Sequence, residues 1–183
     1  MTETELIEGL SRQDSKAQQQ TIDRYGGEVF ALVVRLVTVA ENAEEVYQDV
    51  FVKVFRNIRQ FDADRSSLRT WILRIAYNEA INFLRRKRLP VVYFEDHGHE
   101  ADKLSDAEVD ETLGNVSTET VQLIRAALKH LPPEERALIT MFYYEERSLK
   151  EIADITGSIP TTIASRLCRT RKKLCRIIKM LQS

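Results

Sequence analysis

Along almost the whole of this 183-residue chain, apolar residues recur at helical spacing, and no stretch alternates convincingly with a period of two. Such a chain buries stripes rather than pleated faces, so it folds as packed helices. Six glycines and four prolines are too few to punctuate a turn-rich β fold. The spacing predicts helices near Glu3–Leu10, Asp14–Tyr25, Gly27–Val39, Ala43–Ile58 and Ser67–Lys87. In the fourth, Val46, Val50, Val54 and Ile58 share one face, with Tyr47, Phe51 and Phe55 beside them. In the fifth, Leu68, Ile72, Ile75 and Leu84 do the same, joined by Trp71 and Ala76. These stripes need one another for burial, so they make one helical domain over residues 1–89.

Beyond Arg88 the periodicity fades. Glu95, Asp96, Glu100, Asp102, Asp106, Glu108, Asp110 and Glu111 accumulate against Lys103 alone. Residues 90–118 are therefore expected to form an acidic, flexible linker, because so little apolar surface cannot offset the entropy of ordering. Order resumes with Val121, Ile124, Leu128 and Leu131. Pro132-Pro133 then stops one helix and starts the next, where Glu134 and Glu135 suit its positive end. Two last helices are expected near Ser148–Ile155 and Pro160–Met180. The expected fold is all-α, with two small helical domains (1–89 and 119–183) on either side of the linker.

The formal net charge of −1 hides a segregation. From Pro160 onward the charged residues are Arg166, Arg169, Arg171, Lys172, Lys173, Arg176 and Lys179, with no acid among them. Arg85, Arg86, Lys87 and Arg88 close the first domain as a second basic cluster. Two cationic modules separated by an anionic strap suit a polyanionic partner.

The stretch from Ser148 to Leu174 reads as helix, tight turn, helix. Ser148 and Glu151 have capping-box spacing, Gly157 stands where a left-handed residue would end the helix, and Pro160 opens the next. Ile163, Leu167, Thr170 and Leu174 form one side of that second helix. Thr161, Thr162, Ser165, Cys168, Arg169 and Lys172 lie on or near the other. Core anchors behind, with hydroxyls and guanidinium groups in front, is the build of a helix that reads a DNA major groove. The flanking cations, Arg166 and Lys173 included, would meet phosphates. The alternative is a helical hairpin with a merely solvated basic face. Capping spacing, turn glycine, first-turn proline and the acid-free tail together favour DNA. Thr170 is read as packed and Cys175 as inert.

In the first domain, Glu44, Glu45, Gln48, Asp49 and Lys53 lie opposite the valine and aromatic face of the fourth helix. Such a strip is either solvated or a dock for a basic partner. The fifth helix combines Trp71, Asn78 and Asn82 with Arg74. Rings, amides and cations interleaved in this way suit separated strands, since bases stack on rings for about 1–3 kcal/mol each and amides read base edges. Trp71 also fits the core. Asn78 and Asn82 do not, because a buried amide must find partners.

The sequence excludes several other classes. Cys168 and Cys175 form no CxxC, so no disulfide scaffold or metal site is expected. No phosphate-cradling loop or nucleophile motif appears, and His97 and His99 sit in the linker, so neither enzyme activity nor a cofactor is expected. The N-terminus lacks signal-peptide character, and Val29–Ala40, interrupted by Arg35, falls short of the about 20 residues that span a bilayer. A cytoplasmic protein without membrane insertion is expected.

The first domain closely resembles that of extracytoplasmic-function sigma factors, within the sigma-70 family of bacterial RNA polymerase. The matching residues are Glu44, Glu45, Gln48, Asp49 and Phe51, then Phe61 and Asp62, then Trp71, Arg74, Ile75, Ala76 and Asn78. The C-terminal part resembles the family's second domain through LPPEER and through Ser165, Arg166, Leu167, Arg169 and Arg171. Ala164 departs from the basic residue common there, and Pro160 falls one position later after Gly157 than is usual.

The resemblance implies a promoter-recognition subunit. Core RNA polymerase would bind the face of Glu44, Glu45, Gln48, Asp49 and Lys53. The loop Phe61, Asp62, Ala63, Asp64, Arg65, Ser66 and Ser67, with Trp71, Arg74, Asn78 and Asn82, would hold the melted non-template strand of the minus-ten element. The minus-thirty-five duplex would be read by Thr161, Thr162, Ser165, Arg166, Cys168, Arg169, Lys172 and Lys173. The resemblance also implies an anti-sigma factor as a partner. The rival reading is a one-component helix-turn-helix regulator, which predicts dimers and tight duplex binding by the isolated protein.

Overall fold

The computed structural model describes residues 1–87, 104–114 and 117–183. Every regular element among them is helical: α1 (Glu3–Ser11), α2 (Ser15–Leu36), α3 (Ala40–Asn57), α4 (Leu68–Lys87), α5 (Asp106–Gly114), α6 (Thr118–Leu128), α7 (Pro133–Ile139), α8 (Leu149–Thr156) and α9 (Pro160–Gln182). A 3₁₀ turn at Ile58–Gln60 follows α3, and a π-helical turn at Thr140–Tyr144 follows α7. The all-α expectation is met. Arg88, His97, His99 and the acids from Glu95 to Asp102 lie outside the described residues.

The chain divides into two compact units. The first comprises Met1–Lys87 together with Lys150–Ile159, and the second contains α5, α6, α7 and α9. In the first, α4 packs against both α2 and α3, while α1 packs on α2. The α3 stripe is buried as its spacing requires: Val46, Val50, Val54 and Ile58 lie inside. On α4 the burial is wider than a single stripe. Leu68, Ile72 and Ala76 are buried as expected, but Ile75 and Leu84 are only half-buried, and Leu73, Tyr77, Ala80, Ile81 and Phe83 are buried instead. A helix held between two neighbours covers a broader arc than one facing a single partner.

The two helices expected over Asp14–Tyr25 and Gly27–Val39 are one continuous helix, α2. Its Gly26-Gly27 pair is not a break. A Cβ on Gly26 would stand 2.6 Å from the Tyr47 hydroxyl, so the missing side chain admits a ring from α3. Tyr47 in turn continues an edge-on aromatic row, with Phe30 at 5.6 Å and Phe51 at 5.1 Å between centroids. At the chain start, Thr2 and Glu5 form a capping box on α1, with Glu5 N–H donating to Thr2 Oγ1 at 3.2 Å and Thr2 N–H to Glu5 Oε2 at 2.7 Å.

In the second unit α6 and α7 pack on α9. Pro133 opens α7 with Glu134 and Glu135 in its first turn, as expected. Ile163, Leu167, Thr170 and Leu174 of α9 are all buried, and so is Cys175. The stretch expected to be an acidic, flexible linker holds α5. Ser105 and Glu108 cap this helix reciprocally: Ser105 N–H donates to Glu108 Oε2 at 2.8 Å and Glu108 N–H to Ser105 Oγ at 3.3 Å. The Ser105 backbone donor also holds the Glu108 carboxyl below the usual carboxylate range. Val109 is buried, and α5 lies against α9. Composition alone missed this order because the apolar partner and the opposite charges lie on another helix.

Candidate nucleic-acid and partner interfaces

On α3 the residues read as a strip divide in two. Glu44, Glu45, Gln48 and Asp49 are exposed, each on the side away from the buried valines. Lys53 behaves differently. Its ammonium reaches across to α4 and donates to Glu79 Oε1 at 2.5 Å, a carboxylate whose side chain is only 8% exposed. Lys53 therefore neutralises an interior acid and ties α3 to the helix that carries Asn78.

The loop between α3 and α4 is built around Asp62. Asp62 Oδ1 accepts from Asp64 N–H at 3.0 Å, its carbonyl accepts from Arg65 N–H at 3.1 Å, and its carboxylate stands 3.2 Å from Arg65 Nε. Ser67 then caps α4, accepting from Thr70 N–H at 3.1 Å. Asp62 and Ser67 thus shape the loop, while Ala63, Asp64 and Arg65 stand exposed at its tip. Ser66 is half-buried. Phe61 packs on Trp71 with centroids 5.5 Å apart, which half-buries both rings.

From that aromatic pair, Arg74, Asn78 and Asn82 run along α4 at four-residue spacing, all exposed. The two amides can offer donors and acceptors to base edges. Arg74 is already engaged: Nε at 2.9 Å and Nη2 at 2.5 Å both donate to the Asp154 carbonyl. Arg69, on the same helix, pairs with Glu28 and stands 3.4 Å from Glu151. Hydrogen bonding to Glu28 raises the Arg69 guanidinium above its ordinary value. These links to Glu151 and Asp154 lie within the first unit, which includes Lys150–Ile159, whereas the sequence reading placed that segment with residues 119–183.

The turn before α9 has the expected local form. Gly157 sits at φ 73°, and Ser158 N–H donates to Ala153 carbonyl at 2.9 Å, closing the end of α8. Thr161, Thr162, Ser165, Cys168 and Arg169 then form an exposed face of α9, with Arg166 and Lys172 half-buried on its flanks. Ser165 hydroxyl donates back to Thr161 carbonyl at 3.1 Å, which leaves its oxygen free to accept. Lys173, expected among the phosphate contacts, is 9% exposed and its ammonium lies 3.0 Å from Glu135. It is an internal ion pair rather than a surface cation. Arg171 pairs with Asp110 of α5 and lies over the Tyr143 ring at 5.8 Å. The Ser105–Glu108 capping spacing was a sign in the sequence of the helix that carries Asp110, but not of its contact with Arg171.

Among the described residues, no helix is long and apolar enough to cross a membrane, and no group of His, Cys, Asp and Glu could hold a metal ion.

Comparison with known proteins places these two surfaces in matched segments. Residues 21–89 match the family model Sigma-70 region 2, and residues 121–174 match Sigma-70, region 4. The chain is 29% identical over 188 residues to the RNA polymerase sigma-H factor of Pseudomonas aeruginosa, covering 97% of this chain and 94% of that protein. It is 29% identical over 174 residues to the ECF RNA polymerase sigma factor SigW of Bacillus subtilis, covering 92% of each. In fold it is similar to the sigma factor RpoE from Bartonella quintana, solved in complex with the anti-sigma factor NepR. That likeness has a TM-score of 0.58 at 22% identity and covers 88% of this chain and 96% of that one.

Proposed function

This chain belongs to the sigma-70 family and is an RNA polymerase sigma factor of the extracytoplasmic-function type, and from that premise we propose how its surfaces divide the work. Core polymerase docks on Glu44, Glu45, Gln48 and Asp49 of α3. The tip residues Ala63, Asp64 and Arg65, together with Asn78 and Asn82, receive the unpaired non-template strand at the minus-ten element. Thr161, Thr162, Ser165, Cys168 and Arg169 face the minus-thirty-five duplex, flanked by Arg166 and Lys172. Residues 1–89 and 119–183 are the two working modules, and 90–118 join them, with α5 of that stretch lying against α9.

The observation that carries this reading is the pair of unlike exposed faces in one chain. The α4 face is amide-rich and borders stacked rings, which suits flipped or unpaired bases. The α9 face carries hydroxyls and a guanidinium on an acid-free helix, which suits an intact major groove. Mounted on polymerase, both faces meet the same promoter, and tethering raises the effective concentration of the second contact. Opening the duplex costs a few kcal/mol per unstacked base, which capture of that base offsets without any covalent step by this chain. The reading places the protein in the cytoplasm, where polymerase works. The Bartonella quintana complex supports an anti-sigma factor as a regulatory partner here too.

The test is reconstitution of the full chain with sigma-free core polymerase on a promoter library. Initiation should arise from a shared bipartite element, and Arg169→Ala should flatten base preference at one position of the upstream half, a loss of about 1–3 kcal/mol in discrimination. Failure of the wild-type chain to associate with core enzyme would refute the proposal. Dimeric, tight duplex binding without polymerase would support a one-component regulator instead.

A further inference from the structure

Residues 104–114 contain Asp106, Glu108, Asp110 and Glu111 and no lysine or arginine, whereas Pro160 to Ser183 contains cations and no acid. The structure brings these two segments together. α5 is anchored on the second unit by buried Val109, and its Asp110 carboxylate takes the Arg171 guanidinium. Arg171 lies on α9, on the flank of the face formed by Thr161, Ser165 and Cys168, where a bound duplex would present its backbone phosphates. An Asp carboxylate and a phosphate oxygen make the same demand on a guanidinium, so one arginine cannot serve both. The remaining carboxylates of α5 add a negative field beside a surface meant for a polyanion.

The docked state also carries a defect. Arg171 Nε is covered and meets no acceptor. The partner oxygen belongs to a residue whose side chain is 68% exposed, so the pair is accessible to a competing anion. A contact that is satisfied on one side of the guanidinium and starved on the other is suited to exchange.

We propose that α5 is a built-in competitor of DNA: its carboxylates occupy the phosphate-facing flank of α9 in the free chain and are displaced when duplex engages that helix. This deepens the reading of α9 as the duplex-binding helix and rests on it. The partner displaced is a segment of the same chain, and the ligand that displaces it is the phosphodiester backbone.

The test uses the full chain and a 20-bp duplex of random sequence, with affinity measured across a salt series. Random sequence isolates the backbone term and needs no knowledge of the promoter. Asp110→Asn should tighten binding about threefold at low salt and steepen the slope of log K against log salt by about 0.9, the signature of one further phosphate contact. Val109→Asp, which removes the anchor instead of the charge, should give a gain of the same direction. In an Arg171→Gln background, Asp110→Asn should lose its effect on the slope. In hydrogen exchange, adding the duplex to the wild type should raise exchange at the amides of residues 106–114. Wild-type slopes for both single variants, or unchanged exchange on duplex addition, would overturn the proposal. So would an undiminished gain in the Arg171→Gln background. None of these measurements involves polymerase, so they fail or succeed separately from core association.

Discussion

Asn78→Ala should reduce open-promoter occupancy on reconstituted polymerase by roughly 5- to 150-fold while leaving affinity for core enzyme unchanged, the range expected when about 1–3 kcal/mol of base-edge contact is removed. Asn78 is exposed, one helical turn beyond Arg74 and one before Asn82. Its buried neighbours on either side, Tyr77 and Glu79, keep the helix seated when the amide is gone. The measurement is permanganate reactivity of unpaired thymines in parallel with a core-binding titration. Loss of core binding together with melting would mean that Asn78 supports the fold or the docking face and is not a strand contact. Unchanged melting would remove it from the site.

Ile72→Ala should have the opposite profile. Ile72 is fully buried on α4, which packs against both α2 and α3. Truncation there removes transfer energy and leaves a cavity, costing about 2–5 kcal/mol. For a unit of this size the transition midpoint should fall on the order of 10 °C or more. Core binding and melting should then decline together as the first unit loosens, because the α3 strip and the Asn78 face share this interior. Circular dichroism melts beside the core-binding titration separate the two variants. An Ile72→Ala protein with a wild-type midpoint would contradict the packing described for α4.

Much of this architecture could be read from local pattern. The valine stripe of α3 is buried against the neighbouring helices, and its buried positions follow directly from the four-residue spacing. Gly157 and Pro160 mark a boundary by backbone geometry, which is a property of those residues alone. What escaped the sequence reading depended on residues far away along the chain. Gly26 looks like a helix breaker until Tyr47 is seen filling the space above it. Lys53 and Lys173 look like surface cations, yet each is turned toward an acid 26 or 38 residues distant. Charge on a helix face does not reveal which of its members have an internal partner. α5 escaped for a related reason. Its capping pair was legible, but its buried apolar residue, Val109, has value only against α9. In the candidate site the amides and hydroxyls lie exposed, while Asp62 and Ser67 serve the loop's own hydrogen bonds.

The 23 residues of α9 extend about 34 Å at 1.5 Å per residue, and the helix divides its labour along that length. The turns from Lys173 to Ile178 are dense with interior residues such as Leu174, Cys175, Ile177 and Ile178, whereas the first two turns expose Thr161, Thr162, Ala164 and Ser165. Substitutions at exposed positions of this kind usually shift stability by less than about 0.5 kcal/mol. On the reading proposed above, in which these side chains face the minus-thirty-five duplex, the leading end of the helix is an exchangeable cassette: lineages, or engineers, can rewrite which genes the protein serves without renegotiating how it folds.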